Sequence, residues 1–570
     1  MPPLDRSRPA DGLRSFARPL LQPGRPLAVH PVLFAAYAVL FLYAQNIGEA
    51  ELGDLWPPLV RIVLAVAASL VLGTLLLRDA RRAALVLTAA VVAFFAFGHV
   101  ANLIEPWRVD PAAQMAAWVT LILIAAFVAL VARPLLSPAT RLLDAIGAVL
   151  VGIALVQIVP AEIARAAIHP TARASTVAAG SATTQGPLRD IYYLIFDRYG
   201  SNNSLKVGFG IDNDLPDWLT QRGFSVAPLS HANYVRTTLS LAGTLNLDYW
   251  NELADRMGPD NRNYGPIHEM LQDHAVARFL KDRGYRYIHL GSWWDPTKRF
   301  RIADENLVWE DAPPEFELVL YETTAAPTIE RWLSPPTAIP GGEQAHRESA
   351  LYELRTLLDL VDDPGPKLVT AHVLLPHEPY VFDAQGRYIP KPQRLARPES
   401  ARYGDQMRYL NGRIRELVSA MLALPEERRP IIVIQADEGP YPPRFVDPNL
   451  PWTEATVPEL EMKYGIINAF YLPGLKEDPV YPTISSVNTF RLIFSEYFGA
   501  DLPFLPDRSF VSRTSTYPYD LTEITDLLPT VNGKPPPPPK SVIPGPGRDG
   551  RPLEPSAPPA APAQTPLPPE

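Results

Sequence analysis

The chain has 570 residues, too many for one ordinary domain, so two or three units are expected. Its formal net charge is -9, with no long basic stripe outside the N-terminus, which makes nucleic acid a poor partner. It contains no cysteine, so disulfides, thiolate metal sites and a cysteine-derived nucleophile are all excluded. The 47% hydrophobic and 20% charged residues are averages that hide a division: 29–159 is almost wholly apolar, 188–532 reads as globular, and 533–570 is dense in proline.

Arginines dominate the cytoplasmic N-terminus expected over 1–28, with Arg6, Arg8, Arg14, Arg18 and Arg25. Five apolar stretches follow, at roughly 29–49, 55–77, 82–104, 113–133 and 141–159. Each is close to the ~20 residues that cross a hydrocarbon core. The first does not read as a signal peptide, because no small-residue cleavage site follows it and four more stretches do. Arg78, Arg81 and Arg82 fill the second loop and Arg133 and Arg141 the fourth, whereas Glu49, Glu51 and Asp54 make the first loop acidic. The positive-inside rule then predicts a multi-pass protein of a bacterial inner (cell) membrane, with everything after the fifth stretch on the periplasmic or extracellular side. Arg61 lies near the outer end of the second stretch, where a long side chain reaches the headgroups without any functional role. The spans lack paired charges and broken helices, which makes a transporter a weak reading.

Residues 160–187 are small, polar and aperiodic, as a tether is. In 188–532 short apolar runs alternate with helical patterns. The expected strands are Ile191–Asp197, Tyr285–Leu290, Lys367–Leu375, Ile431–Ala436 and Ile467–Leu472. Between them, Leu351, Leu354, Leu358 and Val361 share one helical face, and Met407, Leu410, Ile414, Leu417 and Met421 share another. Such alternation implies crossover connections, hence an α/β domain with a mostly parallel sheet between helices. The tail over 533–570, with KPPPPPK and Pro-Ala runs, has too little apolar content to build a core.

Open α/β sheets bind ligands beyond the carboxyl ends of their strands, and polar residues collect there. Asp197 closes the first strand in IFDRYG, Asp437 and Glu438 follow IIVIQA in QADEGP, and His377 follows AHVLL in PHEPY. Adjacent Asp437 and Glu438 repel unless a cation or protons intervene, so a metal is a natural partner. Thr237, Thr238 and Ser240 precede an apolar helical run in NYVRTTLSLAG, where they either cap a helix or act as nucleophiles. Arg198 and Arg236 are available to pair with a phosphate.

In order along the chain, IFD, the Thr/Ser-rich segment, PHEPY, ADEG and INAFYLPG resemble the alkaline-phosphatase-like, or sulfatase-like, superfamily over most of 188–515. Within it the architecture is similar to that of lipoteichoic acid synthase and the membrane phosphoglycerol or phosphoethanolamine transferases, which also join about five spans to an external catalytic domain. The resemblance implies Asp197 and Asp437 as metal ligands, with Glu438 as a third, oxygen ligand where that family usually has histidine. It also implies Thr237 as nucleophile, and His377, with Arg198, near the transferred phosphate. An all-oxygen site of this kind suits one divalent cation, manganese or magnesium rather than zinc. The sulfatase Cys/Ser-x-Pro-x-Arg pattern is absent, which argues against sulfate-ester hydrolysis by that route. Two functions follow as expectations. One is a metal-dependent transferase or hydrolase moving a phospho-headgroup from a membrane lipid donor to an envelope glycan or lipid acceptor. The other is a catalytically degenerate relative that binds or scaffolds in the envelope.

Overall fold

The computed structural model describes residues 28–104, 109–167, 188–311, 313–333, 339, 341–447 and 449–529. The arginine-rich N-terminus, residues 168–187 of the expected tether and the proline-rich tail lie outside the described residues.

Five apolar helices open the described chain: α1 (His30–Gln45), α2 (Leu52–Leu77), α3 (Ala80–Ile104), α4 (Pro111–Val131) and α5 (Leu136–Ala167). Helices α2 to α5 are long and apolar enough to cross a membrane, with mean hydropathies of 2.2 to 2.4. Helix α1, with 16 residues, is shorter, about 24 Å. Its two ends nevertheless bond to α5 in the same order along the chain. Asp144 near the start of α5 accepts from the Val29 and His30 amides at 3.0 and 2.8 Å. At the other end the Tyr43 hydroxyl donates to Glu162 at 2.9 Å, and Arg165 donates to the Ala50 carbonyl at 3.0 Å. The two helices therefore run parallel, as first and fifth members of an up-and-down series do. Those same contacts carry α5 through to Ala167, past the expected boundary at 159.

The second unit is built on a seven-stranded sheet in the order β2-β7-β6-β1-β5-β3-β4. Its strands are β1 (Ile191–Phe196), β2 (Ser225–Val226), β3 (Arg286–Gly291), β4 (Glu305–Val308), β5 (Lys367–Val373), β6 (Ile431–Gln435) and β7 (Asn468–Tyr471). All five expected strands are present, and the two additions, β2 and β4, are short edges. Pairs β6-β1, β1-β5, β5-β3 and β3-β4 are parallel, and β7 runs antiparallel to β6 and β2. The central strands β1, β5 and β6 are buried along their whole length. Their near-continuous apolar runs are what a strand covered by helices on both faces requires.

The two units touch directly. Phe316 and Leu320, on the helix Glu315–Glu322 of the second unit, join Val39, Tyr43 and Leu55 of the bundle in one apolar cluster. The Gly98 amide of α3 donates to the Thr323 carbonyl at 2.9 Å, and the Ala325 amide to the Phe94 carbonyl at 2.9 Å. A side chain at 98 would put Cβ 2.7 Å from that Thr323 oxygen, so the approach needs glycine.

Candidate active site

Because β6, β1 and β5 are adjacent and parallel, their carboxyl ends deliver side chains to one place. Ile195 lies level with His372 on one side and Gln435 on the other. Asp197 follows β1, Asp437 follows β6, and His372 sits one residue from the end of β5. Ligand atoms of Asp197, His372 and Asp437 all lie within 4.8 Å of one another, and all three residues are buried. The turn after β1 is sharp. Arg198 takes a left-handed backbone with φ 62°, and its carbonyl accepts from the Tyr403 hydroxyl at 2.8 Å.

The buried atoms of this cluster are unsatisfied. Asp197 Oδ1, both carboxylate oxygens of Asp437 and His372 Nε2 have no hydrogen-bond partner among the described residues. Burial pushes the Asp197 carboxyl well above its usual range, and the Asp437 and Glu438 charges push it further. Burial also raises Asp437; the Thr237 hydroxyl lies near enough to draw it back down, without completing a regular hydrogen bond. His372 is driven down to about 3 by burial, so its ring is neutral. Its Nδ1 meets the Thr297 hydroxyl at 2.8 Å, and when that hydroxyl accepts, the lone pair on Nε2 faces the two carboxylates, 3.9 Å from each. Two carboxylates and one neutral imidazole, buried and unpaired, suit a divalent cation. The donor set is thus not all-oxygen: a nitrogen from β5 enters it, which removes the ground for preferring manganese or magnesium to zinc.

Glu438 is oriented differently. Its Oε1 is 2.7 Å from Lys463 Nζ and 3.2 Å from Arg198 Nε, so two cations neutralise it and it stands outside the three-residue cluster. Lys463, on the helix Val457–Tyr464, is fully buried and lies 3.5 Å from the Tyr441 ring centroid. Burial lowers its ammonium pKa to about 8, against the pull of Glu438. Arg198 also contacts Glu378 at 2.5 Å and lies 4.1 Å over Tyr441, so its guanidinium is held between two carboxylates.

His377 comes to the rim of the cluster, with Nε2 3.9 Å from Asp197 Oδ2 and about a quarter of its side chain exposed. Its Nδ1 donates to the Glu378 carbonyl, which leaves Nε2 as an acceptor. Burial and the neighbouring Arg198 charge lower its pKa to about 3.

Thr237 is the first residue of the helix Thr237–Asn246, buried, with Arg236 as the N-cap. Thr238 is on the same turn, and Ser240 instead donates to the Tyr234 carbonyl at 2.9 Å, which occupies it structurally. Free amides and the helix dipole make such an N-terminus hospitable to an anion. The residues flanking Thr237, Arg236 and Thr238, line a cavity of about 390 Å³. Its other walls come from the first loop of the bundle, including Glu49 and Glu51, and from the helix beginning at Glu315. Glu49 ion-pairs with Arg236 at 3.2 Å across it.

Of the sequence-derived residues, then, Asp197, Asp437, Thr237 and His377 converge, and Arg198 and Glu438 adjoin them as an ion-paired group. His372, Lys463 and Thr297 were not singled out. His372 had one signal, an imidazole near the end of an otherwise apolar strand that ends beside Asp197.

No family model and no curated protein matches this sequence. Among solved structures, the chain is similar to the C-terminal periplasmic domain of EptC from Escherichia coli in complex with Zn, at 14% identity and TM-score 0.40, covering 61% of this chain and 96% of that one. It is also similar to the C-terminal periplasmic domain of the phosphoethanolamine transferase EptC from Campylobacter jejuni, at 13% identity and TM-score 0.35, with coverages of 59% and 94%. A third is a protein in the alkaline phosphatase superfamily from Vibrio parahaemolyticus, at 13% identity and TM-score 0.37, with coverages of 60% and 77%.

Proposed function

We propose that this protein is a membrane-anchored, metal-dependent phosphotransferase that moves a phospho-headgroup from a lipid donor, through Thr237, to an envelope glycan or lipid. The observation that carries the reading is the Thr237 hydroxyl at a helix N-terminus beside Asp437, within a buried cluster whose ligand atoms lack protein partners. A divalent cation held by Asp197, His372 and Asp437 would lower the pKa of the attacking hydroxyl and neutralise charge on the phosphoryl oxygens. Thr237 Oγ1 attacks phosphorus, the bond to the donor's oxygen breaks, and the proton given up by the Thr237 hydroxyl leaves with that oxygen. The unpaired amides of the first helical turn offset charge on the phosphoryl group. His377 Nε2, neutral and unprotonated, accepts a hydrogen bond from the acceptor hydroxyl and orients it, and as that hydroxyl displaces Thr237 its proton returns to Thr237 Oγ1. Membrane placement belongs to the same reading: the domain works on the periplasmic or extracellular face of the inner membrane.

The degenerate, purely binding reading leaned on glutamate standing where histidine is usual. His372 supplies an imidazole to the cluster and Glu438 has cationic partners of its own, which together favour catalysis. The test is turnover of a phosphodiester by the full chain with added manganese, magnesium or zinc. Thr237→Ala should lower it about 10⁴-fold or more, while metal affinity falls only modestly and Thr238→Ala does far less. Mass spectrometry of a quenched reaction should find phosphate on Thr237. Full activity of Thr237→Ala would sink the proposal.

A further inference from the structure

The segment Glu315–Leu333 belongs by sequence to the soluble unit, yet it lies along the side of the bundle rather than on its end. Its level can be measured against α3. Arg81 and Arg82 mark the end of α3 remote from the domain. At 1.5 Å per residue, Phe94 and Gly98 stand about 18 and 24 Å above Arg82, in a hydrocarbon layer about 30 Å thick. Thr323 and Ala325, bonded to those two residues, therefore sit about 6 to 12 Å below the edge of that layer nearest the domain. Helix α2 gives a consistent level: Arg61, about 25 Å from Arg78, pairs with Glu317. Tilt of either helix only deepens these positions.

The surface chemistry agrees. Val319, Ile329, Trp332 and Leu333 expose 38%, 37%, 55% and 81% of their surfaces. Water gains nothing from such a face, and it continues the apolar flank of the transmembrane helices. Trp56, 54% exposed near the start of α2, stands at the same end of the bundle, and tryptophans gather at that interface. The segment's acids are accommodated: Glu315 faces the cavity beside Thr237, where burial raises its pKa, Glu317 pairs with Arg61, Glu330 meets the Tyr321 hydroxyl, and Glu322 turns back beside Gly342. The exposed end of Arg331 can reach headgroups.

We infer that Glu315–Leu333 is embedded in the leaflet on the domain's side, with Val319, Ile329, Trp332 and Leu333 against acyl chains. The inference rests on the reading of α2 to α5 as membrane spans. The cavity beside Thr237 is lined by Glu315, Phe316 and Val319, so one of its walls belongs to this embedded helix.

The chain has no cysteine, so single cysteines can be labelled uniquely. Ile329→Cys and Leu333→Cys carry an environment-sensitive fluorophore in full-length protein reconstituted in phosphatidylcholine nanodiscs containing spin-labelled lipids. Val71→Cys, exposed on α2, serves as a membrane reference and Val207→Cys, on the helix Asn202–Phe209, as an aqueous one. The probes at 329 and 333 should be quenched several-fold more than the probe at 207. The unlabelled thiols at 329 and 333 should also react at least tenfold more slowly with an impermeant maleimide than the thiol of Val207→Cys. Quenching and reactivity equal to those at 207, with 71 quenched, would overturn the inference and leave the spans standing. An unquenched probe at 71 would overturn both.

Discussion

Asp437 and Glu438 are neighbours in the chain and equally buried, yet the protein treats their charges in opposite ways. Asp437 faces another carboxylate and a neutral imidazole, with no partner for either oxygen among the described residues. Glu438 faces an ammonium and a guanidinium. A buried carboxylate is tolerated when a counter-charge is built in, or when the site is meant to receive one. Glu438 is the first case, a structural ion pair, and Asp437 is the second, a charge that the chain itself leaves unbalanced.

The comparison breaks most visibly if each residue is neutralised in turn. Glu438→Gln strips Lys463 of its nearest anion and should destabilise the domain by roughly 3–5 kcal/mol, as breaking one side of a buried pair does, while metal stoichiometry is kept. Asp437→Asn should do the reverse: metal affinity falls more than about 100-fold, beyond the loss typical of outer-sphere changes, and the metal-free protein melts higher than the parent. Calorimetry with and without metal reads both. Loss of metal from Glu438→Gln with stability unchanged would make Glu438 a ligand after all.

A smaller effect tests the imidazole. Thr297 holds His372 by Nδ1, so Thr297→Val should weaken metal binding by about 10- to 100-fold, the usual range for an outer partner. Unchanged affinity would mean that His372 takes no part in binding.

The mildest test is acid. Burial lowers the pKa of His274 to about 3 and those of His289 and His346 to about 4, from an ordinary 6.5. Below pH 6.5 the unfolded chain takes up protons that the folded chain refuses, so stability falls as pH drops from 6.5 towards 4. Each histidine contributes up to about 1.4 kcal/mol per pH unit. A flat melting profile across that window would contradict the burial of these rings.

The central strands were readable because a strand covered on both faces is an unbroken apolar run, and Asp197 and Asp437 interrupt such runs at their ends. The edges β2 and β4 were not, since two to four half-exposed residues leave no periodicity to detect. His372 escaped because it sits inside its run, where an imidazole reads as one more core residue. Lys463 could not be found locally at all. It reaches Glu438 from a helix twenty-five residues further on (463 − 438), and only the folded sheet brings the two together. The same separation hides the setting of Glu438: sequence shows its neighbour Asp437, but not the cations that face its Oε1.

The glycine contact between α3 and Thr323 has a consequence for reach. A catalytic unit hung on a loose strand could sweep a hemisphere and treat targets far from its anchor. Here the second unit is fastened to the bundle by backbone bonds at Gly98 and Phe94 and by a shared apolar cluster, so Thr237 is held at one altitude. Under the proposed transfer, acceptors would have to come down to it, which would select molecules rooted at the membrane surface over the distal ends of long polymers.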